Sequence, residues 1–175
     1  LRGANGFNLQ LQNGYFAFFE DDFEGYAVPG PGSGGGLVQL GVPDPLGNLH
    51  GVQLFGRTQP LAWLSVRGRF SYGEVPIYAE GSRGVELSLG PTAEIRFPFG
   101  LLADLSFDYS RIERSAGGRF SLARIPRAKV QYQLTPALFV RAIVQYNLQQ
   151  RDALRTAGGE PLWVDGEVSE PEDAG

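Results

Sequence analysis

Val85-Glu86-Leu87-Ser88-Leu89-Gly90-Pro91-Thr92-Ala93-Glu94-Ile95-Arg96-Phe97 decides the fold. One parity carries Val85, Leu87, Leu89, Pro91, Ala93, Ile95 and Phe97; the other carries Glu86, Ser88, Gly90, Thr92, Glu94 and Arg96. The alternation has no error from end to end. A period of two is the mark of a strand with two different faces, since a helix would scatter both sets around its circumference. The next stretch repeats it, with Leu101, Ala103, Leu105, Phe107 and Tyr109 against Asp104, Ser106, Asp108 and Ser110. Pro98-Phe99-Gly100 between them is a tight turn. Pairing Phe97 with Leu101 then sets Ile95 opposite Ala103, Ala93 opposite Leu105 and Pro91 opposite Phe107, so apolar meets apolar throughout.

Outward from this hairpin the pattern continues. Ala128, Val130, Tyr132 and Leu134 oppose Arg127, Lys129, Gln131 and Gln133; after a turn at Thr135-Pro136-Ala137, Val140, Ala142, Val144, Tyr146 and Leu148 alternate with Arg141, Gln145, Asn147 and Gln149, and Ile143 breaks the polar face. Upstream, Val52, Leu54 and Gly56 are joined through a turn at Thr58-Gln59-Pro60-Leu61 to Ala62, Leu64, Val66, Gly68, Phe70 and Tyr72. A first strand is expected from about Phe7 to Glu20. Arg124 falls on the apolar parity beside Pro126, and a bulge at Pro126 or a position beyond the apolar zone would accommodate it. The alternation lasts about 9–15 residues per strand, against about five or six for an ordinary strand. A tilted membrane-crossing strand needs about 9–11.

These features predict an all-β chain: an antiparallel, up-and-down, outer-membrane-type β-barrel, partial, with about seven long strands. Residues 1–155 would form the barrel region and 156–175 an acidic, flexible loop or tail. Short turns would alternate with longer connections at Asp21–His50, Glu74–Gly84 and Ser115–Gly118. The competing architecture is a soluble β-sandwich or lipocalin-like barrel, and the competing function a soluble carbohydrate-binding module. Periodicity does not separate these from a membrane barrel. Strand length and the presence of a single lysine, Lys129, favour the membrane.

Composition narrows the field. The 175 residues include 25 Gly, 12 Pro, no Cys and no Met. With no Cys there is no disulfide framework and no thiol nucleophile. The chain starts at Leu1 without a basic region and apolar stretch, and is read as a fragment or processed chain. The net charge of −4 argues against a nucleic-acid partner, which needs a clustered basic face. No apolar run reaches the roughly 18–20 residues of a membrane-spanning helix, whereas barrel strands conceal their hydrophobicity by alternation.

Several motifs have residue types that can carry chemistry. Gly30-Pro31-Gly32-Ser33-Gly34-Gly35 matches G-x-G-x-x-G, but no helical pattern follows to receive a pyrophosphate, so a glycine-rich surface loop is expected and no cofactor. Glu20, Asp21, Asp22 and Glu24 are a weak Ca²⁺ candidate whose spacing fits no EF-hand loop; otherwise no metal is expected. His50 has no second His or Cys with which to share zinc, and no Gly-x-Ser-x-Gly elbow accompanies it. The polar parity holds Arg67, Arg69, Glu86, Glu94, Arg96, Asp104, Asp108, Arg127, Lys129 and Arg141. These are the pore-lining candidates; cross-strand charge pairs are the plainer account of their mixed signs. Glu94 opposite Asp104 has the look of a hydrolase acid pair, with nothing else to support catalysis, so no enzymatic activity is expected. Tyr15, Phe19, Tyr72, Phe97 and Tyr132 lie near strand ends on the apolar parity, as interfacial girdles would.

The stretch Arg127 to Asn147, above all its Tyr-x-Leu-Thr-Pro turn and Val144-Gln145-Tyr146-Asn147, resembles the barrel end of a bacterial family known as DUF5916, a domain of unknown function. Arg151-Asp152-Ala153-Leu154-Arg155 and Gly158-Gly159-Glu160-Pro161-Leu162 are similar to the loop that follows there. The resemblance covers about 45 residues and is loose before them. It implies the bacterial outer membrane and a barrel fold, with lipid as partner, and no activity; a channel, solute-uptake or scaffold role is what is expected of such a barrel. It also implies a saccharide partner, through an N-terminal carbohydrate-binding-like module that is not in this chain.

Overall fold

The structure is a computed structural model and describes residues 5–30 and 36–174. Its main body is a ten-stranded antiparallel sheet. The long strands are β1 (Gly6–Phe16), β4 (Leu46–Leu61), β5 (Leu64–Ile77), β6 (Ser82–Leu89), β7 (Thr92–Arg96), β8 (Leu101–Arg114), β9 (Arg119–Thr135) and β10 (Leu138–Gln145). β11 (Leu148–Arg151) and β14 (Glu172–Ala174) complete it. A smaller sheet has β2 (Tyr26–Pro29), β3 (Leu37–Gln39), β12 (Trp163–Val164) and β13 (Glu167–Val168), in the order β13-β12-β2-β3.

The large sheet is an up-and-down meander. β6 and β7 are one rib: both lie between β5 and β8, and the register of Phe70 with Leu89 continues through Arg67 with Thr92. The break between them is Pro91, which accepts a hydrogen bond from the Phe107 amide (3.1 Å) but has no N–H to return one. Pro126 does the same on the other side. Its carbonyl accepts from the Tyr146 amide (3.1 Å), and there β10 passes into β11 without a change of register against β9. Seven long ribs result, with β14 on the far edge of β11. Among the described residues, β1 is not paired with β10, β11 or β14, so the sheet has two open edges.

The hairpin at Pro98–Gly100 has the expected register, with Ile95 opposite Ala103 and Ala93 opposite Leu105; the next sets Ala142 opposite Val130 and Val144 opposite Ala128. Four boundaries differ from expectation. The first hairpin turns at Ala62-Trp63, not at Thr58–Leu61, because Leu61 still pairs with Leu64. β1 stops at Phe16, and a short 3-10 helix occupies Glu20–Phe23. The Glu74–Gly84 connection is mostly strand, since Val75 to Ile77 pair with Ser82 to Gly84. No bulge marks Pro126: the β8–β9 register runs unbroken from Leu101 with Tyr132 to Ile112 with Ser121.

Antiparallel order puts the turns at 62–63, 98–100 and 136–137 at one end of the sheet and all other connections at the opposite end. There the smaller sheet makes a cap. Residues 156–174, expected as an acidic tail, contribute β12, β13 and β14 and the fully buried Leu162. The buried apolar set is Phe18, Phe23, Leu49, Ile77, Leu122, Leu154 and Leu162, all in the cap or in the strand ends beneath it. Phe16, Phe18, Phe23 and Tyr26 form a chain of edge-to-face contacts along it. Glu80 and Arg114 form a buried ion pair (2.6 Å) that ties the cap down. Arg114 also donates to the carbonyls of Arg119 and Ala153, and the Arg155 amide donates to Glu80. Each charge thus has several partners, the condition under which a buried pair is tolerated.

Candidate functional site

The sheet has no buried apolar residue between the turns at 62–63, 98–100 and 136–137 and the strand ends under the cap, among the described residues. Its two faces therefore carry whatever the molecule does there. On one face, called A, the registers line up Leu9, Leu54, Phe70, Leu89 and Tyr109 in one cross-strand row, and Val66, Ala93, Leu105, Ala128 and Val144 in another. Of these, Leu9, Leu54, Leu105 and Val144 are exposed and the others half-buried; beside them on the same face Phe7 is 83% exposed and Leu11 80%. The girdle candidates Tyr15, Phe19, Tyr72, Phe97 and Tyr132 are exposed as well. Tyr15 and Tyr72 lie toward the cap, and Phe97 and Tyr132 toward the short turns; Phe19 lies off the sheet, at the start of the 3-10 helix. Soluble monomers rarely expose contiguous apolar patches above a few hundred Å².

The apolar stripe on face A crosses the strands obliquely. It begins at Phe7 on β1, Leu64 on β5, Leu101 on β8 and Leu134 on β9, and ends at Leu11, Tyr72, Tyr109 and Pro126 on the same strands. Followed through the registers, it drifts toward the short turns by roughly one residue per strand. With about 3.3 Å per residue and about 4.8 Å between strands, the stripe is inclined by about 35° to the cross-strand rows. Arg124 lies in the row of Tyr109, just past the end of the stripe on β9, and is exposed.

Face B carries all ten expected polar residues. Glu94, Asp104 and Lys129 stand in one row, with Lys129 Nζ 2.8 Å from Asp104 Oδ2. Arg96 pairs with Glu94, so each member of the suspected acid pair has its own cation. Glu86 accepts from Ser110 Oγ (2.9 Å), and Arg141 donates to Gln131 (3.0 Å). Gln10, Gln53, Ser71, Ser88, Ser110, Ala123 and Gln149 form a belt nearer the cap. Arg67, Arg69, Arg127 and Asp108 make no ion pair within 4 Å among the described residues.

Arg67 sits directly opposite Arg57, which belongs to the same polar parity and was not among the expected site residues. Arg57, Arg67 and Arg69 line an open cavity of about 790 Å³ together with Asn8 and Thr92. Gly90 clears its wall: a Cβ there would lie 3.4 Å from Asp108 Oδ1 and 3.7 Å from Arg69 Nη2.

The remaining motifs do not assemble. Among the described residues no group of three His, Asp or Glu side chains could hold a metal, and the Glu20–Glu24 carboxylates do not converge. Asp22 instead accepts a hydrogen bond from the Phe19 amide (3.2 Å). Most of the Gly30–Gly35 motif lies outside the described residues. The His50 amide donates to Glu74 Oε2 (3.0 Å), and Arg83 binds the other oxygen (2.8 Å). Those two donors, the His50 amide first, hold the Glu74 carboxyl below its ordinary value. Among the described residues no helix is long and apolar enough to cross a membrane. Comparison of the chain with protein-family models, with curated proteins and with solved structures returns no match.

Proposed function

We propose that the chain is part of the wall of an outer-membrane β-barrel, with face A in hydrocarbon and face B toward a polar interior, serving without catalysis as a channel, uptake component or scaffold. The carrying observation is the exposed apolar stripe on face A. Its inclination of about 35° to the cross-strand rows supports the same reading, because a level stripe then requires strands tilted by about 35° and barrel strands tilt by about 35–45° to the membrane normal. Face B carries Gly, Ser and Thr between its longer polar side chains, which lets a sheet curl toward that side, and some of those longer side chains are paired across it, Lys129 with Asp104, Ser110 with Glu86 and Arg141 with Gln131. Two open edges support it further: each is a row of unpaired backbone groups that barrel closure removes. On this reading the resemblance of residues 127–147 to the DUF5916 barrel reflects kinship, and lipid is the main partner.

The test uses nitroxide probes at Leu87 and Leu105 on face A and at Ser88 and Ser106 on face B, in the full chain reconstituted in lipid vesicles. Face A probes should meet lipid-soluble oxygen, and face B probes a water-soluble paramagnet. A particle that stays dispersed in plain buffer with Leu105 in a dry protein interior would overturn the proposal in favour of a soluble β-sheet module.

A further inference from the structure

We infer that face B holds a binding site for a small polyvalent oxyanion, of which phosphate is the simplest form, built on Arg57, Arg67 and Arg69. The register sets Arg57 and Arg67 directly across from each other, and Arg69 follows Arg67 on the same face. Like charges placed directly opposite repel and destabilise a bare sheet. A sequence that needed neutral packing here has a working solution one row away, where Lys129 meets Asp104 and Arg96 meets Glu94. None of the three arginines has a carboxylate within 4 Å among the described residues. Glu94 lines the adjoining smaller cavity with Arg57 and Arg67, but Arg96 already engages it.

The space is suited to a solute. The cavity of about 790 Å³ is open and is bordered by Asn8 and Thr92, which add neutral hydrogen-bonding groups. Gly90, on the same face, lines it without a side chain, and Phe55, paired with Arg69, forms its apolar floor. Guanidinium forks match the oxygens of phosphate bidentately. Three of them supply more charge than a monocarboxylate balances, which favours a di- or trianion. The net charge of the chain is −4, so the cluster is a local reversal of sign and not part of a general basic surface.

The inference deepens the reading of face B as a wet polar surface and rests on that part of it; it does not need face A to meet lipid. Calorimetric titration of the full chain with inorganic pyrophosphate, at fixed ionic strength in whichever medium keeps it monodisperse, tests it. Saturable one-to-one binding is expected, competed by inorganic phosphate and not by chloride. Arg67→Gln and Arg57→Gln should each weaken it at least ten-fold, Arg67→Lys several-fold less, and Arg96→Gln less than two-fold. In the unliganded protein Arg67→Gln should leave the melting temperature unchanged or raise it, since a repulsion is removed. Absence of saturable binding, equal losses in Arg96→Gln and Arg67→Gln, or a folded Arg67→Lys as inert as Arg67→Gln would each overturn the site. A lipid-embedded chain that ignores pyrophosphate sinks this inference alone. A chain that binds it while dispersed in plain buffer sinks the membrane reading alone.

Discussion

Gly73 faces Gly51 across the β4–β5 pair so closely that a Cβ on Gly73 would lie 2.5 Å from the Gly51 Cα and 2.7 Å from the His50 carbonyl. Backbone atoms cannot swing aside as a side-chain tip can, so the two strands would have to part. Gly73→Ala is expected to destabilise the protein by roughly 1–3 kcal/mol, the usual range for overpacking. Gly68→Ala, where nothing lies within 4 Å, should be near neutral. Denaturant unfolding of both variants checks this, and equal effects would remove the close approach as a cause. One residue further along β5, Glu74 lies beyond the apolar stripe, where the His50 amide and Arg83 hold its carboxyl below the ordinary value. A depressed carboxyl pKa contributes stability that is present above the unfolded value and is lost as pH falls through the folded one. The His50 amide should therefore stay protected from exchange at neutral pH and lose protection only below the ordinary glutamate range. Glu74→Gln should remove that pH dependence, and a His50 amide indifferent to pH in the wild type would contradict it.

At the scale of strands, parity decides the outcome of a substitution. Leu105 and Ser106 are neighbours on β8 but stand on faces A and B. If face A meets lipid, Leu105→Arg brings a charge near mid-bilayer, at about 2–4 kcal/mol, and should cut the yield of inserted protein sharply. Ser106→Arg should insert as the wild type does; protease protection in vesicles reads both, and equal yields would show that the two faces see the same medium. This much was legible in the sequence, because the period of two assigns a face to every residue and a single turn then fixes the register. Pro98-Phe99-Gly100 supplied that turn, and the pairs from Pro91 with Phe107 to Phe97 with Leu101 follow it. The turn at Ala62-Trp63 was not legible: neither residue is a turn former, and Pro60 drew the reading to the wrong place. The cap was opaque for a different reason. Leu154 and Phe23 are isolated apolar residues in polar surroundings, Leu162 opens only the short run Leu162-Trp163-Val164, and no period links them; what makes them a core is contact between segments more than 100 residues apart. Nothing in the sequence links Glu80 to Arg114; only the fold buries them together. Arg57 was within reach, since it shares the parity of Gln53 and stands opposite Arg67 in any register that pairs Val52 with Tyr72.

For the molecule as a whole, the obliquity of the stripe joins the seven ribs to one physical dimension. A sheet with its apolar zone level with the cross-strand rows could lie flat against any partner. A zone that slips by about one residue per strand is instead horizontal when the strands tilt by about 35°. The run from Leu101 to Tyr109 on β8 spans about 27 Å along the strand, and the tilt reduces this to about 22 Å across the zone. That is somewhat less than the roughly 25 Å apolar band of outer-membrane barrels and well short of the roughly 30 Å core of a typical bilayer. Mismatch of this sign must be met by thinning the bilayer, at a fraction of a kcal/mol per Å. Insertion from denaturant should therefore be faster and more complete into vesicles of ten- or twelve-carbon phosphatidylcholines than into eighteen-carbon ones. The cap should remain outside, so a protease site engineered at Gly159 should stay open while the sheet becomes protected. Equal insertion into thin and thick bilayers would separate the stripe from membrane thickness and leave its slant as a property of sheet twist alone.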